Sequence, residues 1–206
     1  NKICFVSSIA SVGSASYGSL LTEESEWNSQ ADNSGYSITK FGAEMEVWRA
    51  SQEGVDVVIV NPGIILGGGF WNAGSGQLFT KIFRGLKYYT EGKTGFIGVK
   101  DVVKTMVFLT NSTIKNERFI LVSENKSYKE VFFLIADALK KKRPYIRIHR
   151  WKMELLWRVS SFLSIITGKE PLLSKYAAKS ANSTSLYTSK KVQEILKAAK
   201  DFNCSI

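Results

Sequence analysis

Apolar residues fall along the chain in two alternating rhythms. Residues 2–8, Lys-Ile-Cys-Phe-Val-Ser-Ser, and 55–61, Val-Asp-Val-Val-Ile-Val-Asn, are short runs, and Arg118-Phe-Ile-Leu-Val-Ser123 is a third. Runs of this length, rich in β-branched residues and bounded by polar or glycine-containing segments, predict buried strands over 2–8, 55–61 and 117–123. Between them the pattern predicts helices over 36–53, near 76–88, over 100–110 and over 127–140. In the last of these, Val131, Leu134, Ile135, Ala138 and Leu139 keep helical spacing. A short strand at 145–148 and two further helices complete the series. Strands alternating with helices build a parallel sheet covered by helices, an α/β fold. Asp101 is expected to cap or begin its helix. Strand 2–8 would normally have a neighbour on each side, so one edge is expected to be unpaired and prone to self-association.

The most apolar late segment is 151–166, interrupted by Lys152, Glu154 and Arg158. Trp151, Leu155, Val159, Phe162 and Ile166 make one stripe at helical spacing. Such a stripe is expected to pack on its own domain or close a substrate pocket rather than lie on a membrane. A homodimer stays open.

A chain of 206 residues, 44% hydrophobic, can bury a core and suits one domain or one and a half. The formal charge of +10 and the run Lys140-Lys-Lys-Arg143 invite a nucleic-acid reading. That run closes a predicted helix, where the dipole favours cations, and aromatics are not interleaved with the basic residues as a stacking platform needs. No nucleic-acid partner is expected; the charge can instead attract a phosphate-bearing cofactor or substrate. Two cysteines, Cys4 and Cys204, give no disulfide framework or metal cluster, which fits a reduced, cytoplasmic setting.

Chemistry concentrates at Tyr36-Ser-Ile-Thr-Lys40 and at Ser8. Positions four apart share a helix face, so the Lys40 ammonium can stand near the Tyr36 phenol and favour phenolate. A tyrosine tuned this way can pass a proton near neutral pH. Ser8 ends a buried strand, where an open α/β sheet places its active site, and its hydroxyl can hydrogen-bond a substrate oxygen.

The order of these segments closely resembles the short-chain dehydrogenase/reductase superfamily. The likeness is to its extended branch of nucleotide-sugar epimerases, dehydratases and dihydroflavonol-reductase-like enzymes, and it covers nearly the whole chain. Val6-Ser-Ser-Ile-Ala-Ser-Val-Gly13 resembles the branch's serine segment, with Ser8 in the catalytic place; Tyr36 and Lys40 match the acid/base tyrosine and its lysine. Asn61-Pro-Gly-Ile-Ile-Leu-Gly67 resembles the segment that meets the nicotinamide and opens the substrate pocket, and Phe96-Ile-Gly-Val-Lys-Asp101-Val-Val a later signature of the branch. The resemblance implies NAD or NADP held by Tyr36, Lys40, Pro62, Gly63 and Ile65. It implies a small-molecule substrate touched by Ser8, Ile9, Asn61 and Lys93. Lys93 stands where nucleotide-sugar enzymes of the branch carry an arginine for a diphosphate.

One departure is an absence. The dinucleotide fingerprint needs a glycine-rich turn directly after a strand and at a helix start, and no such unit exists in the sequence. Gly67-Gly-Gly69, with Gly74 and Gly76, follows a Pro-Gly turn and has the wrong spacing. The chain is therefore expected to be the C-terminal part of a Rossmann-like parallel sheet with a small α/β substrate-binding subdomain. On this reading residues 1–66 are the second half of the Rossmann-like domain. Residues 67–206 mostly form the subdomain, while 94–123 return a strand and helix to the Rossmann-like part. Gly92-Lys93-Thr94 lacks the spacing of a phosphate loop, and His149 has no partner pattern for a triad or zinc site.

The implied activity is that of an NAD(P)-dependent oxidoreductase or epimerase/dehydratase acting on a carbonyl or hydroxyl carbon. Tyr36 would be the acid/base, Lys40 would lower its pKa and bind the nicotinamide ribose, and Ser8 would polarise the substrate oxygen. The stretch Gly92-Lys-Thr-Gly-Phe96 leans toward reductase-like members. The alternatives are a nucleotide-sugar epimerase or dehydratase, and a non-catalytic NmrA-like binding scaffold, although such scaffolds usually lose the tyrosine or the lysine.

Overall fold

The apolar run Val57-Val-Ile-Val60 lies on the central strand of the main sheet. The computed structural model describes residues 1–13, 20–168 and 175–203; Cys204 lies outside them. In chain order the first elements are β1 (Lys2–Val6), a 3-10 turn (Ile9–Ser11), β2 (Leu20–Leu21), α1 (Gly35–Gln52), β3 (Asp56–Pro62) and β4 (Ile64–Leu66). There follow α2 (Gly76–Phe83), β5 (Tyr88–Tyr89), β6 (Lys93–Gly98), α3 (Val99–Asn111), β7 (Glu117–Leu121), β8 (Glu124–Ser127) and α4 (Tyr128–Ala138). The last are β9 (Ile146–Arg147), α5 (Arg150–Thr167), α6 (Lys175–Ser180), β10 (Leu186–Tyr187) and α7 (Lys190–Asn203).

These elements form two units, one of Asn1–Gly67, Gly95–Asn125 and Ser185–Ile206, the other of Gly68–Thr94 and Lys126–Thr184. In the first, β3 sits between β1 and β7, all parallel, with Val6 opposite Val60 and Val60 opposite Phe119. Val57 to Pro62 are all buried, which is why this strand reads as a continuous apolar run rather than an alternating one. Among the described residues β1 pairs only with β3, and its other edge has no partner strand there. Helix α3 begins at the N-cap Gly98 with Asp101 in its first turn, where a carboxylate favours the dipole. It contributes Val102 and Leu109 to a core with Val58, Val60, Ile97, Phe119 and Leu121.

Residues 185–206, expected with the smaller subdomain, belong instead to the first unit. The reason is packing: Val192 of α7 is buried in the same core, with Ile195 and Leu196 against it.

In the second unit, α2 stops at Phe83 rather than near 88. Gly85 takes a positive φ of 85° and its N–H closes on Ile82 O, which frees Tyr88–Tyr89 to pair in parallel with Ile146–Arg147. Trp71, Phe79, Thr80, Phe83 and Leu139 line an apolar hollow of about 260 Å³. The stripe on α5 departs from expectation. Met153 is buried, but Trp151, Leu155, Val159 and Phe162 are all exposed, so the stripe does not pack on its own unit. The Ile166 side chain lies outside the described residues.

Candidate active site

Serine 8 follows the last residues of β1, where Ser7 N–H still donates to Val60 O at 2.8 Å. Its extended backbone makes it the N-cap of the 3-10 turn, and its Oγ accepts from Ala10 N at 3.2 Å. The Ser8 carbonyl in turn accepts from Ser11 N, Ser11 Oγ and Asn61 Nδ2. This short turn fixes the residue while leaving it half-buried.

Tyrosine 36 and lysine 40 stand on the first turns of α1, which begins after Ser34; the Ser34 hydroxyl accepts from Ser37 N. Tyr36 is exposed. One turn on, the half-buried Lys40 ammonium donates to Val6 O at 3.2 Å and stands 5.8 Å from the Phe5 ring centre. The lysine therefore reaches the C-terminal end of β1, two residues before Ser8. The lysine and the serine thus meet at one strand end, where open α/β sheets arrange their sites.

Beneath this end lies a buried polar network that sequence reasoning missed. Glu44 is fully buried on α1; its Oε2 accepts from Ser11 Oγ at 2.8 Å and from Asn61 Nδ2 at 2.9 Å, and its Oε1 pairs with Arg118 at 3.4 Å. Arg118, from β7, also donates to Glu23 O and Ser25 O in the segment leading to α1. Ser7 and Ser11 hydroxyls lie 2.9 Å apart. One signal was available: Glu44 lies four residues after Lys40 and eight after Tyr36, on the same helical face.

Two residues expected at the substrate, Asn61 and Ile9, are buried. Asn61 is fully buried, and its amide is hydrogen-bonded to Ser8 O, Ser11 Oγ and Glu44; it holds the serine turn from below. Its Oδ1 has no hydrogen-bond partner among the described residues. The Ile9 side chain is buried with Val12, Leu21, Ile120, Val122 and Tyr187, and so packs the turn. Pro62 and Gly63 are buried and Ile65 is half-buried, pairing with Ile97. Gly63 is pressed against the Gly95 carbonyl and Val122, so no side chain fits there. Lys93 belongs to the second unit, exposed at the start of β6, its N–H donating to Ser183 O.

A parallel sheet flanked by helices, with a serine at one strand end and a Tyr-x-x-x-Lys helix reaching it, is a Rossmann-like α/β architecture. Residues 1–114 match the NAD-binding family described as "Male sterility protein", and the chain belongs to that family. The fold is shared with the crystal structure of gox2253, at 24% identity and a TM-score of 0.76 over 94% of this chain and 59% of that one. A nucleoside-diphosphate-sugar epimerase from Pseudomonas aeruginosa is similar at 20% identity and a TM-score of 0.70, over 98% and 66%. UDP-glucose 4-epimerase from Thermus thermophilus, solved with NAD, is similar at 16% and 0.67, over 94% and 57%. The chain thus spans roughly three fifths of the length of these structures. No curated protein matches it.

Proposed function

We propose that the protein is an NAD(P)-dependent oxidoreductase or epimerase/dehydratase acting at a carbonyl or hydroxyl carbon, with reduction as the favoured direction. The observation that supports this reading is the Lys40 ammonium at the Val6 carbonyl, two residues before Ser8 and one helical turn after Tyr36. Lys40 has three N–H donors; besides the one directed at Val6 O, the others suit ribose hydroxyls. The residues present fit the nicotinamide side of a dinucleotide: Tyr36, Lys40 and the backbone from Pro62 to Ile65. A nicotinamide bound there supplies or accepts the hydride.

The chain's own residues do the rest. The Ser8 hydroxyl donates to the substrate oxygen and fixes the reacting carbon. The Tyr36 phenol gives its proton to that oxygen during reduction and takes it back during oxidation. Retention of serine, tyrosine and lysine together argues against a purely binding scaffold.

The test is turnover of the full-length protein with NADH and NADPH against aldehydes, ketones and nucleotide sugars. Tyr36→Phe should lower turnover by roughly a hundredfold or more while leaving cofactor affinity within a few-fold. Near-normal turnover of the Phe variant would remove Tyr36 from the acid/base role.

A further inference from the structure

Helix α5 is built inside out. Its inward side carries the buried Met153 and half-buried Trp157, Ser160 and Ser164. Its outward side carries Trp151, Leu155, Leu156, Val159, Phe162 and Leu163, all between 48% and 64% exposed. At 100° per residue these six fall within less than half the helix circumference. A solvated helix ordinarily turns its large apolar residues to the core. Here the large ones face out, in a contiguous strip running most of the helix length.

Charge says what such a strip meets. Of the 28 basic and 18 acidic residues, the second unit holds 17 and five, a net +12, and the first unit 11 and 13, a net −2. The positive charge of the protein is therefore that of the unit bearing α5. The acids of that unit among the described residues are already engaged with cations or caps: Glu91 with Arg147, Asp137 with Arg143, Glu154 with Arg158, and Glu130 with Ser127. Lys152 and Arg158 are exposed on α5 itself, where their aliphatic stems can lie along apolar surface while the charges reach outward. A second copy would bring +12 against +12. An acidic lipid surface matches both features, taking the apolar strip into the headgroup boundary and the cations against its phosphates. No helix among the described residues is long and apolar enough to cross a membrane, so the helix would lie in the interface plane.

We propose that α5 seats this protein on anionic lipid surfaces. This inference is independent of the catalytic reading. The test is co-sedimentation of the full-length protein with vesicles of phosphatidylcholine alone and of phosphatidylcholine with phosphatidylserine. Binding to the anionic vesicles should be at least roughly tenfold stronger and should weaken as salt rises. Leu155→Ser with Phe162→Ser, both exposed and so harmless to folding, should lower binding roughly tenfold at an unchanged melting temperature. Lys152→Glu with Arg150→Glu should abolish the preference for anionic over neutral vesicles. Wild-type protein that stays in the supernatant with both vesicles would overturn the proposal, whether another segment or nothing covers the strip. A concentration-dependent dimer abolished by the Leu155/Phe162 variant would overturn it in favour of a second copy.

Discussion

The carboxylate of Glu44, fully buried, and the guanidinium of Arg118, 18% exposed, pair at 3.4 Å across α1 and β7. The pair joins the helix bearing Tyr36 and Lys40 to the sheet, and through Ser11 and Asn61 it reaches the turn bearing Ser8. Removing one partner of a buried pair strands the other charge, at a cost of roughly 3–5 kcal/mol. Glu44→Ala should therefore lower unfolding free energy by about that amount in urea titrations. Glu44→Leu combined with Arg118→Met should regain part of it, since the stranded charge is then gone. Equal losses in single and double variants would mean that the cost comes from packing instead.

Gly63 and Gly42 give opposite expectations for the same change. A Cβ on Gly63 would collide with the Gly95 backbone and Val122, whereas one on Gly42, inside α1, meets nothing within 4 Å. Gly63→Ala should destabilise by roughly 1–3 kcal/mol through overpacking. Gly42→Ala should stabilise by about 0.5–1 kcal/mol, because the unfolded chain loses freedom that the helix does not use. Thermal melts of the two variants, shifted in opposite directions, check both; a neutral Gly63→Ala would show that β4 and β6 can part locally.

The main sheet was legible because its central strand β3 is buried on both faces, and the run Val57-Val-Ile-Val60 shows it. The short strands β2, β5, β8, β9 and β10 were mostly invisible, since two to four residues carry no periodicity and are fixed by partners distant in sequence. Helix α1 hid its buried side for a related reason. That side is Ser37, Glu44 and Ser51, a polar stripe that an apolar pattern cannot reveal. The position of Ser8 just past the end of β1, and of Tyr36 and Lys40 on one helix, could be read from residue type and order. The inward turn of Asn61 and Ile9 could not, because it depends on Glu44 and on the cluster around Val122. The α5 stripe was visible as a stripe, yet periodicity does not say which way a stripe faces.

The start of α4 should titrate. Glu130 accepts from both the hydroxyl and the N–H of Ser127, while Glu130 N donates back to Ser127 Oγ at 3.2 Å, a capping box. The Ser127 hydroxyl, then its N–H, hold the Glu130 carboxyl below its ordinary value of 4.5, aided by Lys126 and Lys93 and opposed by slight burial. A carboxyl depressed in the folded state adds stability that is complete above about pH 4.5 and is lost as pH falls through the folded value. Glu130→Ala should cost on the order of 1 kcal/mol at pH 7. The gap from wild type should narrow on acidification below about pH 4.5, followed by melting at stepped pH. A gap constant from about pH 7 to about pH 3 would mean that the ionised carboxylate is not what stabilises the cap.

Cofactor affinity gives the sharpest test of how the dinucleotide would be shared along the polypeptide. Backbone N–H groups of a glycine-rich turn at a helix N-terminus ordinarily hold the pyrophosphate. The 206 residues contain no such turn after a strand. Gly67 and Gly63 sit in tight packing against Val99 and the Gly95 backbone rather than at a helix start. On the proposed function this chain would supply the nicotinamide side: Tyr36 on the exposed first turn of α1, Lys40 at the end of β1, and the backbone after Pro62. A few neutral and singly charged contacts of that kind should give no better than roughly millimolar affinity. Titration calorimetry of the 206-residue chain with NAD and NADP should thus detect weak binding or none. Micromolar binding would require pyrophosphate contacts within these residues, with Lys40 and the Ser8 turn the first places to seek them.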